Sequence, residues 1–293
     1  MSGYIITLLI TIGIYMILAL SLNIIVGYAG QISLGHAAFW AIGAYSFAIL
    51  TTRYGLGFLE ASVLAILITT AVGVILGLPS LRVSNDFLAI TTIGINFIVQ
   101  GIFNTFNFFG GAMGIGNIPF PTYHGNMISN TLFMLLVYLF VVLTILISYL
   151  FKRSWSGLAT FSIKNDELAA SVCGVSPVKF KLLSFAIGSA LAGLSGIFYA
   201  SFMSFISASD FSFPVSVTIL AMVIVGGEAT IIGPIFGAVL LILLPELFRP
   251  IHNYRMFLYG LLLVVMMRFQ PDGFFGKKGL IWTIARKFSP AKE

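Results

Sequence analysis

Long stretches without a formal charge constrain the fold of this chain more than any motif in it. No Asp, Glu, Lys or Arg occurs in residues 2–52 or 87–151, and only Asp210 interrupts 182–227. A helix needs about 20 apolar residues to cross the hydrocarbon core of a bilayer, and each of these runs exceeds that length. Mean hydropathy of +1.07 with 59% hydrophobic residues is more than a soluble core of this size requires. The expected fold class is therefore all-α, a polytopic integral membrane protein with about eight to nine transmembrane helices in a single domain over 1–293.

Hydropathy and helix breakers predict spans near 4–26, 32–51, 58–78, 86–104, 131–151, 181–206, 213–226, 232–248 and 254–270. The seventh is short, and 27–35 is rich in glycine and polar residues. Either segment can be re-entrant where protein, not lipid, surrounds its backbone.

Basic residues set the orientation, because cytoplasmic loops carry the excess of Lys and Arg. Eleven of the 15 lie in 152–181 and 268–293, so the loop 152–181 and a basic tail, 271–293, are expected inside. The loop 105–130 has no formal charge and belongs outside. With the C-terminus inside and nine spans, the N-terminus is outside, in agreement with the lack of basic residues before Arg53. The same lack argues against a signal peptide, so 4–26 reads as a retained span. The net charge of +6 is accounted for by these flanks and does not call for nucleic acid. In the tail, Trp282 and Phe288 among Lys and Arg suit an interfacial amphipathic segment.

Within the polar loop, Asn165 suits a helix N-cap, with Asp166 and Glu167 in the first turn, where the helix dipole favours carboxylates. Gly174 ends this short helix. Leu168 and Val172 lie four apart, giving it an apolar face. Ser176 and Pro177 then begin the next span, with Lys179 and Lys181 at the membrane edge. On residue chemistry alone the short helix either rests on lipid headgroups or docks on a partner.

Asp166-Glu-Leu-Ala-Ala-Ser-Val-Cys-Gly174 resembles the cytoplasmic coupling motif of ABC-importer permeases, matching at Glu167, Ala169, Ala170 and Gly174, with Leu168 inserted. Gly27-Tyr-Ala-Gly-Gln-Ile-Ser-Leu-Gly-His-Ala-Ala-Phe39, Asp86-Phe-Leu-Ala-Ile-Thr-Thr-Ile-Gly94 and Gly110-Gly-Ala-Met-Gly-Ile115 resemble branched-chain amino-acid (Liv-type) permeases of the LivM-like kind. Val225-Gly-Gly-Glu-Ala-Thr-Ile-Ile-Gly-Pro234, Leu244-Pro-Glu246, Tyr254-Arg-Met256 and Gln270-Pro-Asp-Gly273 extend the resemblance almost to the C-terminus.

The resemblance implies an importer of two different permeases, the second LivH-like, with two cytoplasmic ATPases and an extracytoplasmic binding protein in a bacterial or archaeal inner membrane. By the family's mechanism, ATP-driven closure of the ATPases displaces the helix bearing Asp166, Glu167, Leu168, Ala169, Ala170 and Val172, and the spans alternate between outward-open and inward-open. Branched-chain amino acids are the implied cargo; urea or a short amide is the alternative within the class. This chain is not expected to be an enzyme. It has no Gly-x-x-x-x-Gly-Lys-Ser/Thr loop, and its glycine-rich turns 110–116 and 226–233 lack the lysine that such a loop needs.

Thr92, Asn96, Gln100 and Asn104 recur every four residues on one predicted span and form a polar stripe, which in a bilayer turns inward. Such a stripe lines a substrate path or makes interhelical hydrogen bonds. Gln31, Ser33 and His36 form a second polar group, near Asn23 in sequence, that either contributes to the path or braces the bend. On the sixth span Ser184, Gly188, Ala192, Gly196, Ala200 and Ser204 make a ridge of small side chains for close helix packing, and Gly73 with Gly77 repeats the pattern on the third.

The rival from another class is an ion-coupled secondary transporter, which would want an ionisable group near mid-membrane, whereas Asp210, Glu228 and Glu246 all fall near span ends. Three scattered histidines (His36, His124, His252) and the single Cys173 offer no metal cluster and no nucleophile–base pair, so no metal or cofactor is expected.

Overall fold

The computed structural model describes residues 3–81, 85–123, 126–247, 260, 264, 268 and 273–276. The chain folds as α1 (Gly3–Asn23), α2 (His36–Thr52), α3 (Phe58–Gly77), α4 (Asn85–Thr105), α5 (Asn130–Arg153), α6 (Trp155–Asn165), α7 (Glu167–Val172), α8 (Pro177–Met203), α9 (Phe213–Gly226) and α10 (Ile232–Leu247). Two two-residue strands, Thr122–Tyr123 and Asn126–Met127, pair antiparallel ahead of α5. Eight of the nine predicted spans are present as helices. The ninth, 254–270, and the tail 271–293 lie outside the described residues, except 260, 264, 268 and 273–276.

Among the described residues five helices are long and apolar enough to cross a membrane: α1 with its extension, α3, α4, α5 and α8. The other three are shorter. At about 1.5 Å per residue, α9 with its 14 residues spans only about 21 Å. Its N-terminal side is lengthened by a 3₁₀ turn, Ala208–Phe211, fixed by a reciprocal cap between Ser207 and Asp210. α2 begins at His36, after the N-cap Gly35, rather than near residue 32, and Gly30 with a left-handed φ of +66° turns the chain out of the extension of α1. In the resulting stretch Gln31, Ser33 and Gly35 are buried, while Ile32 is exposed.

α8 is the central post, packed by α1, α2 and α3, while α5 lies against α1 and α10 against α9. The small-residue ridge makes this possible. A Cβ built on Gly196 would sit 2.3 Å from the Trp40 carbonyl oxygen of α2, and one on Gly188 would sit 2.6 Å from the Ile25 side chain. Ser184, Gly188, Ala192, Gly196 and Ala200 are all buried. Ser204 departs from the predicted ridge, because it caps the end of α8 in a left-handed conformation and is exposed. On α3 Gly73 faces Ser189 and Gly77 faces the Phe185 ring.

Contacts at the helix ends sort the two faces of the bundle. At one, Tyr4 donates to Glu246, the Arg53 guanidinium reaches the Asn107 carbonyl at 3.3 Å and Ile115 pairs with Ile206. At the other lie the end of α5, α6, α7, the bend after α1 and the turn joining α9 to α10.

Candidate functional site

The predicted polar loop is two helices, not one. Ser154 caps α6, its hydroxyl accepting from the Gly157 amide at 3.1 Å, and α6 runs through Asn165. Asn165 is therefore the last residue of α6 and not the predicted N-cap of α7. The cap is Asp166, whose carboxylate accepts from the Ala169 amide at 2.9 Å and so ties down a free N–H of the first turn. Gly174, at φ +83°, turns the chain out of α7, and Pro177 opens α8 as predicted.

α7 sits on a small apolar cluster apart from the main core, made by Ala159, Ile163, Ala170 and Phe180, with Trp155 edge-on to Phe180. Glu167 pairs with Lys181 at 2.7 Å, which fixes α7 to the first turns of α8. The opposite face is apolar and open: Leu168 is 80% and Val172 88% exposed, with Ala169 and Cys173 beside them. Leaving two large aliphatic side chains in solvent forfeits the free energy of burying them, about 1.5–3 kcal/mol each.

The α4 stripe is graded in depth. Thr92 is buried; its hydroxyl donates to the Ala89 carbonyl and accepts from the Leu34 amide at 3.0 Å. Asn96 is buried, and among the described residues neither its Oδ1 nor its Nδ2 has a partner. Gln100 is half-buried and donates to the Ala208 carbonyl at 3.3 Å; Asn104 is exposed. Outward of Asn96 a cavity of about 310 Å³ is lined by Phe97, Gln100, Gly101, Asn104, Ala208 and Ser209.

Gln31, Ser33 and His36 are all fully buried. His36 Nε2 is 2.6 Å from the Ser21 hydroxyl of α1. Asn23 turns elsewhere: its amide donates to the Thr230 carbonyl at 2.7 Å and its Oδ1 accepts from the Ala229 amide at 3.0 Å. The two predicted polar groups nevertheless meet, through the bond from Leu34 to Thr92.

Sequence reading missed Lys164. Its ammonium donates to the Gly27 carbonyl and to Glu228, both at 2.9 Å, bringing together residues 137 and 64 positions away. The only signal was the pair of glycine-rich motifs that it joins. Among the described residues no three His, Cys, Asp or Glu side chains are placed to hold a metal ion.

A family profile described as the permease component of the branched-chain amino acid transport system matches residues 4–267. The high-affinity branched-chain amino acid transport system permease protein LivM of Salmonella typhimurium is 38% identical over 285 residues, covering 89% of this chain and 67% of that protein. Its Escherichia coli counterpart is 37% identical over the same shares. A probable branched-chain amino acid transport permease protein LivM of Methanocaldococcus jannaschii is 24% identical over 329 residues, covering 94% of each. No solved structure matches the chain.

Proposed function

The chain belongs to the permease component family of branched-chain amino acid transport systems, and from that premise we propose that it is the LivM-like subunit of an ATP-driven importer carrying leucine, isoleucine and valine. The observation that carries this reading is the family match across nearly the whole chain, with curated relatives that are transport permeases and not enzymes. The protein is a multi-pass membrane protein, and its place is a bacterial or archaeal inner membrane with the tail 271–293 on the cytoplasmic side.

Its partners in this reading are a LivH-like second permease, two cytoplasmic ATPases and an extracytoplasmic binding protein. The loop 152–181 meets an ATPase through α7. Support comes from the open apolar face of Leu168 and Val172, a surface that a protein partner would bury. Asp166 holds the first turn of α7, Glu167 ties it to α8 through Lys181, and Ala170 seats it on α6. A push on α7 therefore reaches α8, whose glycine and alanine ridge engages the backbone of α2 and leaves little slack.

Thr92, Asn96, Gln100 and Asn104, with Gln31, Ser33 and His36, form the substrate path on the permease side. The buried, unpartnered amide of Asn96 supports this, since such a group costs about 1–3 kcal/mol of stability and demands another use. Amide donors and acceptors suit a zwitterion, and a cavity flanked by Phe97 and Gly101 suits an aliphatic side chain.

The test is uptake of labelled leucine and of labelled urea into proteoliposomes holding the complete assembly. ATP-dependent leucine uptake with no urea uptake is expected. Urea uptake would replace the cargo, and uptake driven by an ion gradient without ATP would overturn the importer reading.

A further inference from the structure

α6 lies between the docking helix and the bundle, and one side chain on it joins parts of the fold that are far apart in sequence. The end of α1 does not finish as an ordinary α-helix. Residues Ile24–Tyr28 form a π turn, a geometry that widens the helix and is frequent at functional sites. The last carbonyls of a helix have no partner within it, and Gly27 is such a residue. The Lys164 ammonium supplies the missing donor at 2.9 Å. Its stem lies over Gly30, where a Cβ would stand 2.8 Å from Lys164 Cγ, so the contact is already at packing distance.

The same ammonium pairs with Glu228 in the turn that joins α9 to α10. That turn is braced from within: the Thr230 hydroxyl donates to the Gly227 carbonyl and accepts from the Gly233 amide. It is braced from α1 by Asn23, which bonds both Ala229 and Thr230, and from α5 by Lys152, which donates to the Ala229 carbonyl at 3.1 Å. Phe274 and Phe275 add two backbone bonds, to Val225 and Gly226. The π turn and the α9–α10 turn are thus cross-tied into one block, and Lys164 is the point at which α6 holds it.

The ion pair with Glu228 adds little stability of its own. Glu228 has 47% of its side chain exposed, against 22% for Lys164, and an ion pair with one partner half open to solvent contributes little to folding. A charge-assisted contact to two acceptors does fix direction and register. α6 and α7 share one apolar cluster, so a displacement of α7 carries α6 with it.

We propose that Lys164 is a positioning residue for transport, holding α6 to the turns that end α1 and join α9 to α10, so that movement of α7 is passed to these three spans as well as to α8. The proposal rests on the importer reading given above, and it adds a second transmission route, which does not run through the Glu167–Lys181 pair.

The test uses the full complex in proteoliposomes and reads leucine taken up per ATP hydrolysed, together with co-purification of the ATPases. Lys164→Glu is expected to lower that ratio at least about tenfold, within the range of measured coupling between sites, while the ATPases still co-purify. The conservative Lys164→Arg, which keeps a cationic donor for both Gly27 and Glu228, is expected to retain at least half of the wild-type ratio. If Lys164→Glu does not accumulate, Lys164→Gln, which keeps a donor for Gly27 but no charge, is read in its place and is expected to lower the ratio with the ATPases bound. An unchanged ratio in Lys164→Glu, or a Lys164→Arg ratio no better than that of Lys164→Glu, overturns the proposal. A wild-type complex idle with leucine removes the branched-chain cargo on which the readout rests, and that failure is distinct because it precedes any substitution.

Discussion

Asn96 separates a path-lining residue from a packing residue most cleanly. An amide that braced two helices would lose bonds on replacement and destabilise the fold, whereas Asn96 has no partner to lose among the described residues. Asn96→Leu should therefore leave the thermal midpoint in detergent unchanged or raised, because removing an unsatisfied buried polar group relieves a cost of about 1–3 kcal/mol. Leucine uptake by the same variant should fall at least about tenfold, a loss equivalent to roughly 1.4 kcal/mol. A lower midpoint with normal uptake would assign Asn96 to packing. Four-residue spacing on a single helix made the stripe legible in sequence, because helical periodicity alone puts those side chains on one face. The pairing of His36 with Ser21 and of Lys164 with Glu228 was not legible. Those contacts depend on where helices far apart in sequence meet, and nothing local to Lys164 distinguishes it from other lysines at a membrane edge.

Among the elements, α8 followed most directly from sequence, since Pro177 marked its start and strict four-residue spacing of small side chains marked its packing face. Gly196→Leu is expected to abolish assembly or uptake. Even the first added carbon would lie 2.3 Å from the Trp40 carbonyl oxygen, which belongs to backbone and cannot rotate away. Overpacking costs about 1–3 kcal/mol where side chains can give, and a rigid neighbour raises that. Gly94→Ala on α4 is the control: nothing lies within 4 Å of its added carbon, and alanine favours the helix, so its midpoint should not fall. A stable, transporting Gly196→Leu protein would contradict the close-packing account. α6 escaped sequence reading because Ser154 and Trp155 follow directly on α5, so the break between two helices is a single capping residue. The cap of α7 was displaced by one residue for a related reason: Asn165 and Asp166 are both good caps, and only the length of α6 decides between them.

For the whole molecule, the charge-free runs were enough to define an all-α membrane bundle, since stretches of that length have few other outcomes. They could not set the inner arrangement, in which α8 stands at the centre and two turns are tied together by Asn23 and Lys164. The central claim is that α7 faces the cytoplasm and is covered there by an ATPase subunit. Cys173, the only cysteine in the chain, is exposed beside Leu168 and Val172 and reports on both parts of that claim without any substitution. The decisive measurement is the rate at which a membrane-impermeant maleimide modifies Cys173 in inside-out vesicles, with and without the ATPase subunits. The account predicts ready modification in their absence and at least about tenfold slower modification when they are bound, as occupancy at ten times the dissociation constant leaves roughly a tenth of sites free. Modification from the opposite face of the membrane only, or an equal rate with the ATPases bound, would contradict it.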